Sequence, residues 1–335
     1  MIHKTIGDPA MPQLLSDDCD RPENAGIDRR TLSSLDLNGS LRAALLRVAG
    51  YADYLINDFF ARPPICGFSE SCHSSEALMR LSELSILVSV ANRSSHHLPQ
   101  EFEILEDILI RVSDSPFAEV DTSDILPTAQ LLLYTSPANV VRARALLLRP
   151  GFRQLYRDPA TELCFRHLLS YSRRLPFFHW VDLNSQLLCS STESPELLRR
   201  CDVYSFTHEI FYLTNFGKRR LPSEVNTDVS SSIIKFQVQR TFEVGDDDLL
   251  MELLLAAMMC ETDLPAWETV LSTLRTRSDE RWFVRPNHSL LLANKLRDDH
   301  RRRYEFAAQY HPEIVWCLLL LSLASSESNP VYSRQ

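Results

Sequence analysis

The chain has 335 residues, 44% of them hydrophobic, a formal net charge of −9 and only 8 glycines. Its length suits one large domain or two medium ones, and its acidic balance excludes a general attraction to nucleic acid phosphates. Scarce glycine excludes more: sheet-rich folds need it in hairpin turns and bulges, nucleotide folds need it where backbone meets phosphate, and neither Gly-x-Gly-x-x-Gly nor Gly-x-x-x-x-Gly-Lys-Ser/Thr occurs.

Residues 1–35 are polar, carry Pro9, Pro12 and Pro22 and show little periodicity, so they read as a flexible arm. Met1 to Gln13 has no basic segment followed by an apolar run, so no secretory signal is expected. From Leu37 the pattern is helical. Leu41, Leu45, Val48, Ala52, Leu55 and Phe59 form one stripe that ends at Pro63-Pro64. Ser74-Ser75-Glu76 opens a second helix, and a third runs from about Pro99 to Val112. Further helices are predicted near 121–134, 137–148, 158–173, 179–190, 194–215, 229–241, 246–260, 264–276, 287–308 and 312–326. No convincing strand appears. The predicted fold is all-α, one domain over 36–328, either an irregular multi-helix bundle or paired helices around a central cleft.

The longest apolar run, Ile314 to Ala324, is shorter than the roughly 20 residues that span a bilayer, so no membrane partner is expected. Eight scattered cysteines suit small buried thiols, and a reduced cytoplasm is the expected location. The basic run Arg297 to Arg303 contains its own acids and reads as a solvated helical face.

Chemistry concentrates in Tyr204 to Gly217. On a helix, Tyr204, His208, Tyr212 and, one step on, Asn215 share a face, walled by Phe206, Ile210, Phe211, Leu213 and Phe216, with Gly217 placed as the left-handed helix stop. A core histidine held neutral by one partner is the plain reading of His208. The functional reading makes it a base with a depressed pKa, oriented by its neighbours, with Tyr212 or Asn215 positioning a substrate. Tyr310-His311-Pro312-Glu313 repeats the theme. Proline favours the first helical position, which would put His311 at an N-cap where the dipole disfavours its charged form.

The stretch Thr207-His208-x-x-Phe211-Tyr212-Leu213-Thr214-Asn215-Phe216-Gly217, followed by Tyr310-His311-x-x-x-Val315, resembles a largely uncharacterised family of bacterial proteins, mostly actinobacterial, encoded in or near natural-product gene clusters. The resemblance spans roughly residues 40–326 and singles out His208, Phe211, Tyr212, Thr214, Phe216, Gly217, Tyr310 and His311. It departs at Asn215, where the family tends to have aspartate, and at Pro312-Glu313, where it tends to have two threonines.

Other signals are weaker. His208-Glu209-x-x-Tyr212 lacks the second histidine of a zinc protease motif. Cys66, Cys72 and His73 have no second ligand pair, His96-His97 reads as exposed, and Asp246-Asp247-Asp248 reads as a helix cap. The expected catalytic residues are therefore His208, Tyr212, Asn215 and His311, and the expected substrate contacts are Tyr204, Phe211, Thr214 and Tyr310. No organic cofactor is expected; a metal held by His208 and His311 is the less favoured alternative. The expected role is a cytoplasmic tailoring or accessory step on a peptide or small molecule in bacterial natural-product biosynthesis, by cofactor-independent proton transfer; the alternative is a non-catalytic helical scaffold that binds a partner biosynthetic enzyme or a peptide.

Overall fold

A computed structural model describes residues 36–60, 75–94, 98, 100, 102–115, 117, 120–155, 157–173, 181–190, 194–265, 267–279, 283 and 298–328. The expected arm at 1–35, Cys66, Cys72, His73, His96 and His97 lie outside them. Among the described residues every regular element is helical, as the glycine-poor, strand-poor sequence predicts.

The helices are α1 (Leu37–Ala49), α2 (Ala52–Phe60), α3 (Ser75–Ala91), α4 (Phe102–Ser113), α5 (Ile125–Thr135), α6 (Val140–Leu147), the single turn α7 (Pro150–Arg153), α8 (Pro159–Arg173), α9 (Arg200–Thr214), α10 (Thr227–Val244), α11 (Asp247–Met259), α12 (Trp267–Asp279) and α13 (Asp298–Ser328). Their packing closes on itself: α3 lies against α5, α5 against α8, α8 against α9, α9 against α11, α11 against α13, and α13 against α3. Outside this circuit α1 packs on α13 and α10 packs on α11.

Three predicted elements differ. Residues 179–190 were expected as one α-helix; the described part forms 3-10 turns at Val181–Gln186 and Leu188–Ser190. The cause is Glu209, buried at 1% exposure, whose carboxylate takes the backbone N–H groups of Leu188 (3.2 Å) and Cys189 (3.0 Å) that an α-helix would use internally. The helix expected over 194–215 starts later, at Arg200, because Leu198 is extended and Asp202 caps the Arg199 N–H at 2.9 Å.

The third difference bears on the site. Two helices were expected on either side of Pro312, but α13 runs unbroken through it. A proline inside a helix costs about 3 kcal/mol through its missing N–H and its clash with the preceding turn. Packing outweighs that cost, since Phe306, Tyr310, Ile314, Trp316, Cys317 and Leu321 are all buried. His311 is therefore in mid-helix, not at an N-cap. Over Arg301–Ser325, α13 is long and apolar enough to cross a membrane, yet 83% of that window is buried within the protein, as for a core helix.

Candidate functional site

α9 carries the predicted face. Tyr204, His208 and Tyr212 stack along it with ring centroids 6.4 and 6.3 Å apart, and Phe211 stands 5.9 Å from the His208 ring. The helix ends at Thr214, one residue before the expected bound, and left-handed backbone begins two residues before Gly217. Asn215 (φ 51), Phe216 (φ 53) and Gly217 (φ 74) are all left-handed, a conformation that asparagine tolerates better than most residues. Asn215 is thus the cap rather than a continuation of the face, and its Oδ1 is buried without a hydrogen-bond partner.

Across from α9, α11 contributes Glu252, the lone charge in Leu249-Leu250-Met251-Glu252-Leu253-Leu254-Leu255 and 1% exposed. A buried carboxylate must be paired, and Glu252 is paired from two helices at once. Its Oε1 stands 3.6 Å from His208 Nε2 and 3.2 Å from His311 Nε2, while Thr207 Oγ1 donates to its Oε2 at 2.6 Å. His311 also faces Asp248 Oδ1 through Nε2 (3.7 Å) and Glu83 Oε1 of α3 through Nδ1 (3.1 Å). Nδ1 makes no aligned hydrogen bond, so this last contact is one of charge. Tyr204 donates to the other oxygen of Asp248, and Arg200 bonds Asp246 at 2.6 Å at the outer edge. Acid and imidazole thus alternate from Glu83 through His311 and Glu252 to His208.

Exposure distinguishes the two histidines. The His208 side chain keeps 45% of its surface accessible, against 24% for His311. His208 is therefore the imidazole of the pair that solvent and small molecules reach more readily. Burial is nonetheless the largest influence on the His208 imidazole.

The electrostatics reverse the sequence expectation. Burial pushes the His208 imidazole down, but the Glu252 carboxylate outweighs it and the net shift is upward. His311 behaves alike and lies well above the ordinary histidine value, because Glu83, Asp248 and Glu252 together overcome burial. The depressed, neutral imidazoles predicted from sequence are thus corrected: His311 has no helix N-terminus beside it, and both rings face carboxylates. Glu252, which burial alone would raise, is held well below the usual carboxylate range by the two imidazoles.

The remaining expected residues divide. Tyr204, Phe211 and Tyr212 border His208, whereas Tyr310 and Thr214 turn away. Tyr310 is 1% exposed, donates to the Arg80 carbonyl at 2.8 Å and packs on Tyr51 and Phe306, so no substrate reaches it. Thr214 is fully buried and bonds the Ile210 carbonyl at 2.8 Å. Asp246 caps α11 as predicted, its side chain accepting from Leu249 N–H, but Asp248 from the same run joins the site. Behind Tyr212, fully enclosed His167 lies 5.5 Å away and bonds the Tyr134 hydroxyl at 2.8 Å. Burial first, then Arg219, lowers its pKa to about 3.

Glu83, Asp248, Glu252, His167 and Tyr134 were not found from sequence. Glu252 left the one readable signal, a single acid in an otherwise apolar helix. Among the described residues no three His, Cys, Asp or Glu side chains converge as metal ligands.

A family model described as a domain of unknown function (DUF6895) matches residues 57–321, and the chain belongs to that family. No curated protein and no solved structure matches the chain.

Proposed function

We propose that this member of the DUF6895 family holds a small molecule or peptide against the accessible side of His208 and moves a proton there without an organic cofactor. The observation that carries this reading is the pairing of accessible His208 with buried Glu252, a carboxylate also held by His311 from a helix about a hundred residues away. An imidazole with a carboxylate behind it has a fixed orientation and a stabilised charged form. Since both histidine pKa values are raised, His208 serves first as a proton donor to the bound molecule and then regains the proton. Tyr204, Phe211 and Tyr212 supply the wall against which the substrate lies. The resemblance in the two histidine motifs supports a tailoring or accessory step in bacterial natural-product biosynthesis, and the buried placement of the apolar α13 accords with a cytoplasmic protein.

The test is product formation in the organism that makes the chain, compared among wild type, a gene deletion and His208→Ala. A folded His208→Ala protein should behave like the deletion. Full product formation by that variant would leave the second reading, a helical scaffold for a partner enzyme. One observation favours the second reading: both nitrogens of His311 face carboxylates, as in a structural ion pair.

A further inference from the structure

Hydroxyl groups hold the far sides of the buried carboxylates. On α9, Tyr204 and Thr207 are three residues apart, and on α11, which packs against it, Asp248 and Glu252 are four apart and share a face. Thr207 donates to Glu252 Oε2 at 2.6 Å, which leaves Oε1 for His208 and His311. Tyr204 donates to Asp248 Oδ2, which leaves Oδ1 turned toward His311. Each hydroxyl therefore settles which oxygen of its carboxylate meets an imidazole.

Thr207 is the more informative of the two. It is fully buried and adjoins His208 in sequence, so it touches no substrate and can act only through its neighbours. Its hydroxyl has one proton and two acceptors in range, the Tyr204 carbonyl at 2.9 Å and the Glu252 carboxylate at 2.6 Å. The charged acceptor at the shorter distance makes the stronger bond and takes the proton. A carboxylate turns about its last bond with little preference, and of its two imidazoles Glu252 lies closer to His311 (3.2 Å) than to His208 (3.6 Å). Released from Thr207, it would turn toward His311, and His208 would lose the group that stabilises its charge. The hydrogen bond from Thr207 prevents that turn.

We propose that Thr207 is a positioning residue for proton transfer at His208: its hydroxyl fixes the Glu252 carboxylate so that one oxygen serves both imidazoles. The inference rests on the reading of His208 as the group that moves the proton, and adds the residue that keeps His208 paired.

NMR titration of the imidazole signals in Thr207→Val and Thr207→Ser tests it, with circular dichroism confirming that each protein is folded. Valine keeps the shape of threonine without the hydroxyl, and serine keeps the hydroxyl. In Thr207→Val the His208 midpoint should fall by roughly one pH unit. His311, which still faces Glu83 Oε1 at 3.1 Å and Asp248 Oδ1 at 3.7 Å, should move less. Thr207→Ser should restore both wild-type midpoints. A merely structural threonine would lower the melting temperature of the valine protein and leave its midpoints in place, which would overturn the proposal, as would a serine protein that titrates like the valine one. If Thr207→Val does not fold, the wild type carries the test. The Thr207 hydroxyl proton should be protected enough to give a resolved signal that shifts with the His208 midpoint, and a signal that stays fixed, or exchanges too fast to be seen, overturns the assignment. These titrations do not depend on product formation. Unmoved midpoints in Thr207→Val therefore remove Thr207 alone, whereas full product formation by His208→Ala removes the proton-transfer reading.

Discussion

Glu252 is the residue on which the site turns, because one buried oxygen serves two imidazoles. Replacing it with glutamine removes the charge and keeps the shape. Burial then acts on His208 unopposed at close range, so its pKa should fall below the ordinary histidine value of about 6.5. His311 should fall less, since Glu83 and Asp248 remain. NMR titration of the imidazole signals reads both, and unchanged values would mean that Glu252 is not the dominant partner. Stability follows with a definite sign. The raised histidines contribute fully below about pH 6.5 and lose that contribution as pH rises through their folded values. The depressed Glu252 contributes fully above about pH 4.3 and loses it as pH falls. Wild type should therefore exceed Glu252→Gln by on the order of 3 kcal/mol between these limits, with the gap narrowing on both sides. Taking the difference cancels His167 and Glu209, which titrate in both proteins. Denaturant midpoints across pH 3–9 supply the measurement, and a gap that does not vary with pH would refute the pairing.

At the scale of the element, apolar periodicity placed most helices, because a stripe at helical spacing is a local property. It also placed Tyr204, His208 and Tyr212 on one face. What periodicity cannot show is which helix lies opposite, so Glu83 and Asp248 stayed unrecognised as partners of His311. Local rules also misjudged places where tertiary contacts prevail. Glu209 draws the N–H groups of Leu188 and Cys189 out of helical bonding, and the buried surface of α13 carries the helix through Pro312. That second case makes a prediction. If packing holds the helix together despite the proline, Pro312→Ala restores an N–H for the Ala308 carbonyl and should raise stability by about 1–3 kcal/mol. The readout is the urea midpoint. A lower midpoint would show instead that the neighbouring helices are fitted to a proline-shaped turn.

For the whole molecule, the closed circuit of helices decides how the parts depend on one another. α13 packs against α1 and α3 from the first half of the chain and against α11 from the second. Arg47 of α1 bonds both Glu313 of α13 (2.6 Å) and Ser278 of α12 (2.5 Å), a tie between chain positions more than two hundred residues apart. The site has the same dependence, since Glu83, His311, Glu252 and His208 come from four different helices and form one chain of contacts. Local opening of either half would therefore expose the inner face of α13 and separate the imidazoles together. Thermal unfolding should then be a single transition. Far-ultraviolet circular dichroism reports all helices, whereas tryptophan fluorescence of a chain carrying Trp180→Phe and Trp282→Phe samples only buried Trp267 on α12 and Trp316 on α13, the latter 6.0 Å from Phe283. The two midpoints should coincide, and Arg47→Ala should lower both by the same amount. If fluorescence were lost at a lower temperature than helicity, the C-terminal helices would be opening alone, and a binding site assembled across the two halves would have no stable frame.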